Sequence, residues 1–78
     1  MTTKTTTLGQ RIKAARTAQG LTQRAIAASL GMQPLAATRW ENDTRTPDAA
    51  TIVRLCDLLH VSADYLLDIK AKPVSDLQ

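Results

Sequence analysis

The sequence predicts an all-α fold, a compact arrangement of five helices, and three observations predict it. Apolar residues recur at helical spacing, as at Leu8, Ile12 and Ala15 and again at Ile52, Leu55, Cys56 and Leu59. Residues that cap helix starts or stop helix ends punctuate those stretches. The third observation is an exclusion. One Cys among 78 residues rules out an internal disulfide, and no paired CxxC pattern is visible, so an ordinary apolar core must hold a chain close to the lower size limit for one. Trp40 and Tyr65 are the only aromatic residues, which suits a bundle of Leu, Ile, Val and Ala.

Met1 to Thr7 opens the chain as a flexible arm without apolar period. Thr7-Leu8-Gly9-Gln10 fits a capping box, so the first helix begins at Leu8, with Arg11 and Lys13 on its wet side and Gly20 as its stop. Leu21 follows as a core plug. Thr22 is an N-cap for a second helix from Gln23 to Leu30, whose buried stripe contains Ala25, Ile26, Ala27 and Leu30 and which Gly31 ends. Met32 packs inward at the corner. Pro34 suits the first position of a third helix, with Gln33 as a chemically poor N-cap, Ala37 and Trp40 facing inward, and Leu35, Thr38 and Arg39 facing out.

The polar turn Glu41 to Thr46 needs a left-handed residue at Asn42 or Asp43. Thr46-Pro47-Asp48 starts the fourth helix, with Thr46 as N-cap and Pro47 first in the helix. Ser62 caps a fifth, from Ala63 to about Ile69, with Leu66 or Leu67 buried. Residues 70–78 contain Pro73 and no period, and read as a loose tail. No apolar run approaches the ~18 residues that span a bilayer, and the chain reads as soluble and cytoplasmic, with no membrane partner.

Two short helices joined by a Gly-containing turn of about four residues, between Thr22 and Glu41, match the helix-turn-helix motif, whose second helix enters the DNA major groove. Charge agrees. Residues 1–40 carry six cations and no acid, whereas residues 41–78 carry four cations and seven acids. That polarity is the electrostatic footprint of a polyanion partner. Arg11, Lys13, Arg24 and Arg45 can each neutralise phosphate, and Gln23 and Gln33 stand at two adjacent helix starts. Cys56 and His60 lie four apart on one helix, but no further Cys or His completes a metal site or catalytic set, so neither metal, cofactor nor enzyme activity is indicated.

Several spaced segments resemble the Cro and phage-repressor (XRE-type) helix-turn-helix family: RIKAAR at 11–16, GLTQ at 20–23, AxxLGM at 27–32, RWEN at 39–42, RTP at 45–47 and VSADYLL at 61–67. The resemblance implies a lambda-repressor-like DNA-binding domain over residues 8–69 that binds double-stranded DNA, usually as a homodimer, to regulate transcription, and the leading expectation for that regulation is repression. It further implies that Gln23 contacts a phosphate and supports the recognition helix. Arg16 and Glu41 form a salt bridge beneath the motif. Base-edge contacts come from Gln33, Pro34, Leu35, Thr38 and Arg39, and with Arg11, Asn42 and Arg45 these complete the expected DNA-contacting set.

The chain departs from the family in placing Pro34, Leu35, Ala36 and Ala37 where polar residues are usual. Apolar groups can touch a thymine methyl but exchange no hydrogen bond with base edges, so direct readout falls to Gln33, Thr38 and Arg39. Gln33 suits adenine and Arg39 suits guanine. The alternative reading is a protein-interaction or antitoxin-like adaptor module, docking a protein on the face of Leu35, Ala36 and Thr38. Spare apolar residues at Val53, Leu58, Val61 and Tyr65 suggest the dimer face. No small-molecule ligand is indicated.

Overall fold

Four of the five helix starts, all but that of the third, are fixed by a capping side chain, and those starts set the architecture. The computed structural model describes residues 6–67, and among them the order is α1 (Leu8–Ala18), α2 (Gln23–Ser29), α3 (Pro34–Glu41), α4 (Ala49–Leu59) and α5 (Ala63–Leu67). The remainder of the expected arm and the expected tail at 70–78 lie outside the described residues, as does any continuation of α5 to Ile69. At α1, Thr7 Oγ1 accepts from Gln10 N at 3.1 Å while Thr7 N donates to Gln10 Oε1 at 2.9 Å, which closes the expected capping box. At α2, Thr22 Oγ1 accepts from Ala25 N at 3.0 Å. Ser62 Oγ takes Tyr65 N at 3.0 Å and caps α5.

The start of α4 differs from the expected one. Asp48, not Thr46, is the N-cap, its Oδ1 accepting from Thr51 N at 2.8 Å, and the helix opens at Ala49, which leaves Pro47 buried ahead of it. A carboxylate is the stronger acceptor at the positive end of a helix dipole, so it displaces the Thr46 hydroxyl from that role. Hydrogen bonds from Thr51, from its side chain foremost and then its backbone, hold the Asp48 carboxyl below the usual range.

The core is assembled from all five helices: Ile12 and Ala15, Ile26 and Leu30, Ala37 and Trp40, Leu55 and Leu59, and Leu66. Leu21 packs against it half-buried. α3 lies against α2 and α1, and α5 joins α1 to α4. Met32 departs from expectation: it is 41% exposed at the corner after Gly31, whose φ of 71° turns the chain outward. Of the two candidates for the left-handed position after α3, Asp43 takes it with φ 64°. His60 ends α4 with φ 59°, a conformation more usual for Gly or Asn at that place.

Asp43 also binds α1 to the end of α3. Its Oδ2 accepts from Thr7 Oγ1 at 2.6 Å and its Oδ1 from Gly9 N at 3.0 Å, one of the amides that a helix start leaves unpaired. This approach is possible because Gly9 has no side chain: a Cβ there would lie 2.3 Å from the Trp40 carbonyl oxygen and 2.8 Å from that of Glu41. Helix propensity alone favours Ala over Gly by about 1 kcal/mol. The overlap with backbone atoms reverses the sign. Gly9→Ala is therefore expected to destabilise the domain by about 1–3 kcal/mol in urea unfolding; unchanged or raised stability would show that α1 and α3 are not held this close.

Candidate nucleic-acid interface

The candidate interface is the outer side of α3, and its support runs inward to an ion pair. Glu41 closes α3 with its carboxylate 4% exposed and receives Arg16 of α1 through Nε at 2.6 Å and Nη2 at 3.0 Å. Arg16 Nη1 also donates to the Leu21 carbonyl at 2.8 Å, in the link between α1 and α2. The hydrogen bond to Glu41 raises the Arg16 guanidinium above its ordinary range, against the opposing effect of burial. One planar fork thus fixes the end of α3 and the entry to α2.

The resemblance implied that bridge, and the structure contains it together with a continuation that the sequence did not disclose. Gln23 Nε2 donates to Glu41 Oε1 at 3.0 Å, and Gln23 Oε1 accepts from Thr38 Oγ1 at 2.7 Å. Both ends of the Gln23 amide are engaged within the protein. Thr38 is accordingly half-buried, and its hydroxyl faces α2 rather than standing free on the helix.

Gln33, Pro34, Leu35 and Arg39 are exposed, and together they form the available face of α3. Gln33 has the extended backbone of an N-cap but makes no side-chain cap bond, which leaves its amide free to meet a partner. Leu35 is 52% exposed, an apolar residue kept on the surface of the third helix. Arg39 and Arg45 border one recess with Met32, Ala36, Trp40, Thr46, Pro47, Asp48 and Thr51. The turn after α3 draws Arg45 there, because the Arg39 carbonyl accepts from both Thr44 N at 2.9 Å and Arg45 N at 3.2 Å.

Two residues of the expected set sit elsewhere or in other roles. Arg11 Nε donates to the Leu66 carbonyl at 2.8 Å and its Nη1 to Thr6, so the guanidinium ties α1 to α5 and the preceding chain. Asn42 directs its side-chain oxygen to the backbone and hydroxyl of Thr44 and shapes the turn. Sequence spacing marks a polar residue as outward-facing but cannot show that a distant carbonyl will claim it. In α4, burial pushes the Cys56 thiol pKa up, away from a reactive thiolate. Among the described residues no group of three or more His, Cys, Asp and Glu is placed to hold a metal ion, and no helix is long and apolar enough to cross a membrane.

A Gly-turned helix pair, with the second helix exposed beside arginines on a five-helix domain, defines the helix-turn-helix class, which is not an enzymatic one. The chain belongs to the helix-turn-helix family of the Cro and phage-repressor (XRE) type, whose family model, described as helix-turn-helix, matches residues 12–66. It is 38% identical over 73 residues to the HTH-type transcriptional regulator ImmR of Bacillus subtilis (strain 168), covering 90% of this chain and 58% of that relative. The chain therefore spans less than two thirds of the relative's length. Among solved structures, the P22 c2 repressor protein in complex with a synthetic operator matches with TM-score 0.75 and 31% identity over 80% of this chain and 94% of that one. The solution structure of the P22 c2 repressor DNA-binding domain matches with TM-score 0.76 and 31% identity, covering 83% and 86% of the two chains.

If the ion pair holds α3 in place, removing one partner must leave the other buried and uncompensated. Glu41→Ala is expected to lower unfolding free energy by about 3 kcal/mol, measured by urea denaturation. A loss near zero would mean that packing of Ala37 and Trp40 alone positions α3.

Proposed function

We propose that this chain binds double-stranded DNA as a transcriptional regulator, acting as a repressor, with α3 lying in the major groove and two copies engaging successive half-sites. The observation that carries the reading is the exposed start of α3, Gln33 to Leu35 with Arg39, beside an acid-free first half whose arginines include Arg24 and Arg39. Glu41, the acid at the end of α3, is neutralised by Arg16 and does not oppose a polyanion. The similarity to a repressor solved with its operator supports the same assignment.

The proposed division of labour follows from which donors are free. Gln33 pairs with adenine and Arg39 with guanine N7 and O6, while Leu35 and the Pro34 ring touch thymine methyl groups. Arg24 and Arg45 neutralise phosphate. Gln23 contributes chiefly by holding Thr38 and Glu41, and any phosphate contact uses its remaining Nε2 hydrogen. Arg11 adds charge near the backbone without directing its fork there. In a dimer the two α3 helices stand about 34 Å apart, one turn of the duplex. Exposed Val53, at 67%, and Tyr65, at 44%, with half-buried Leu58 and Val61, supply an apolar surface for the second copy.

Selection from a random duplex pool followed by affinity measurement across salt tests the reading. The expected result is an enriched palindrome whose binding weakens steeply as salt rises, because phosphate neutralisation releases counterions. In the same assay Arg39→Ala loses about 1–3 kcal/mol and its preference at one base pair. A flat salt response with no enriched sequence would contradict the assignment and favour a protein-docking module.

A further inference from the structure

Hydrogen-bond polarity passes outward through the support of α3, and it ends at Thr38. Arg16 can only donate, so the Glu41 carboxylate it pairs with can only accept. Glu41 Oε1 also takes a hydrogen from Gln23, which obliges the amide to turn its NH2 inward and its carbonyl oxygen towards Thr38. The Thr38 hydroxyl has one hydrogen. It goes to Gln23 Oε1 at 2.7 Å, since the other acceptor within reach, the Pro34 carbonyl, is at 3.5 Å. What Thr38, a half-buried residue next to Arg39 on α3, has left to offer are the lone pairs of its hydroxyl oxygen.

We propose that Thr38 is a specificity-determining residue that acts only as an acceptor, set so by the Arg16–Glu41–Gln23 relay, and that it selects a base amino group, adenine N6 or cytosine N4. The proposal rests on the DNA-binding reading above. Major-groove base edges present donors only at those two amino groups. Phosphate oxygens carry no hydrogen to give, so the same polarity turns Thr38 away from the backbone. An Ala or Val here would accept nothing, and a Thr with a free hydroxyl would accommodate either kind of edge. Gln23 is then a positioning residue: it orients the Thr38 hydrogen from within the protein.

Pool selection with the full chain and with Thr38→Val identifies the base pair that residue 38 controls. At that pair, replacing adenine by purine, or cytosine by 2-pyrimidinone, deletes only the amino group. The expected result is about a threefold to tenfold loss of wild-type affinity, and none for Thr38→Val. Adenine replaced by 7-deazaadenine, which keeps N6, binds as before, and Thr38→Ser retains the preference. Gln23→Met, verified as folded by thermal melting, frees the hydroxyl hydrogen and broadens the preference. The proposal is overturned if amino deletion is silent, if Gln23→Met keeps full selectivity, or if Thr38→Val weakens all duplexes equally. In those outcomes an enriched palindrome still stands and only the Thr38 assignment is lost. A chain that enriches no duplex removes both.

Discussion

The buried pair of Arg16 and Glu41 is the constraint on which the presentation of α3 depends. α3 is eight residues long, too short to be stable alone, and its N-cap contributes no side-chain hydrogen bond. Ala37 and Trp40 give it an apolar seam, but a two-residue seam permits a helix to roll. The guanidinium fork sets the roll angle, because Arg16 touches Glu41 on one side and the Leu21 carbonyl on the other. Gln23 and Thr38 extend that hold to the outer flank, while Asp43 and Gly9 fasten the turn just past Glu41 to α1. α3 is therefore anchored by directional contacts from Thr38 to the turn after Glu41, over its C-terminal half. A buried ion pair is weak support for stability in general, since desolvation offsets most of the attraction. Its contribution here is orientation.

That orientation matters because the exposed face carries few polar groups. Between Gln33 and Arg39, residues Pro34, Leu35, Ala36 and Ala37 exchange no side-chain hydrogen bonds with any partner. In the proposed complex, sequence preference then rests on a few directional contacts and on methyl contacts, both of which are sensitive to shifts of about an ångström. The Pro34 ring adds rigidity at the first helical position without losing a bonded amide. Shape readout of the duplex becomes a larger share of discrimination when direct contacts are few. A protein that reads little by side-chain donors gains most from a recognition helix that cannot rock.

Much of the fold was legible because local chemistry and tertiary packing agree. Thr7 with Gln10, Thr22 and Ser62 announce helix starts by their own hydroxyls, and Gly20 and Gly31 take the positive φ values that their positions require. The fourth helix starts later than Thr46-Pro47 predicts because that pair and Asp48 offer two overlapping cap signals, and only the fold decides which side chain reaches an amide. Met32 shows the limit of apolarity as a burial signal at a corner where the backbone turns away. In the site, the Arg16–Glu41 bridge came with the family resemblance. The Gln23–Thr38 link, the Asp43 tie and the diversion of Arg11 to the Leu66 carbonyl join residues 15, 34 or more, and 55 positions apart. Periodicity is blind to such pairings. A lone Gly9 inside a helical pattern was the one available hint that two backbones meet there.

The claim that the ion pair orients α3 more than it stabilises the domain can be separated from ordinary stability by replacing both partners at once. An Arg16→Met, Glu41→Leu double variant removes the charges together and fills similar volume with apolar groups, a change that is often neutral for folding. Its affinity for the selected duplex, measured beside its melting temperature, tests the account directly. The predicted result is a melting temperature near that of the parent with duplex affinity reduced about tenfold, the size of one or two misaligned base contacts. Parental affinity in a well-folded double variant would contradict the account.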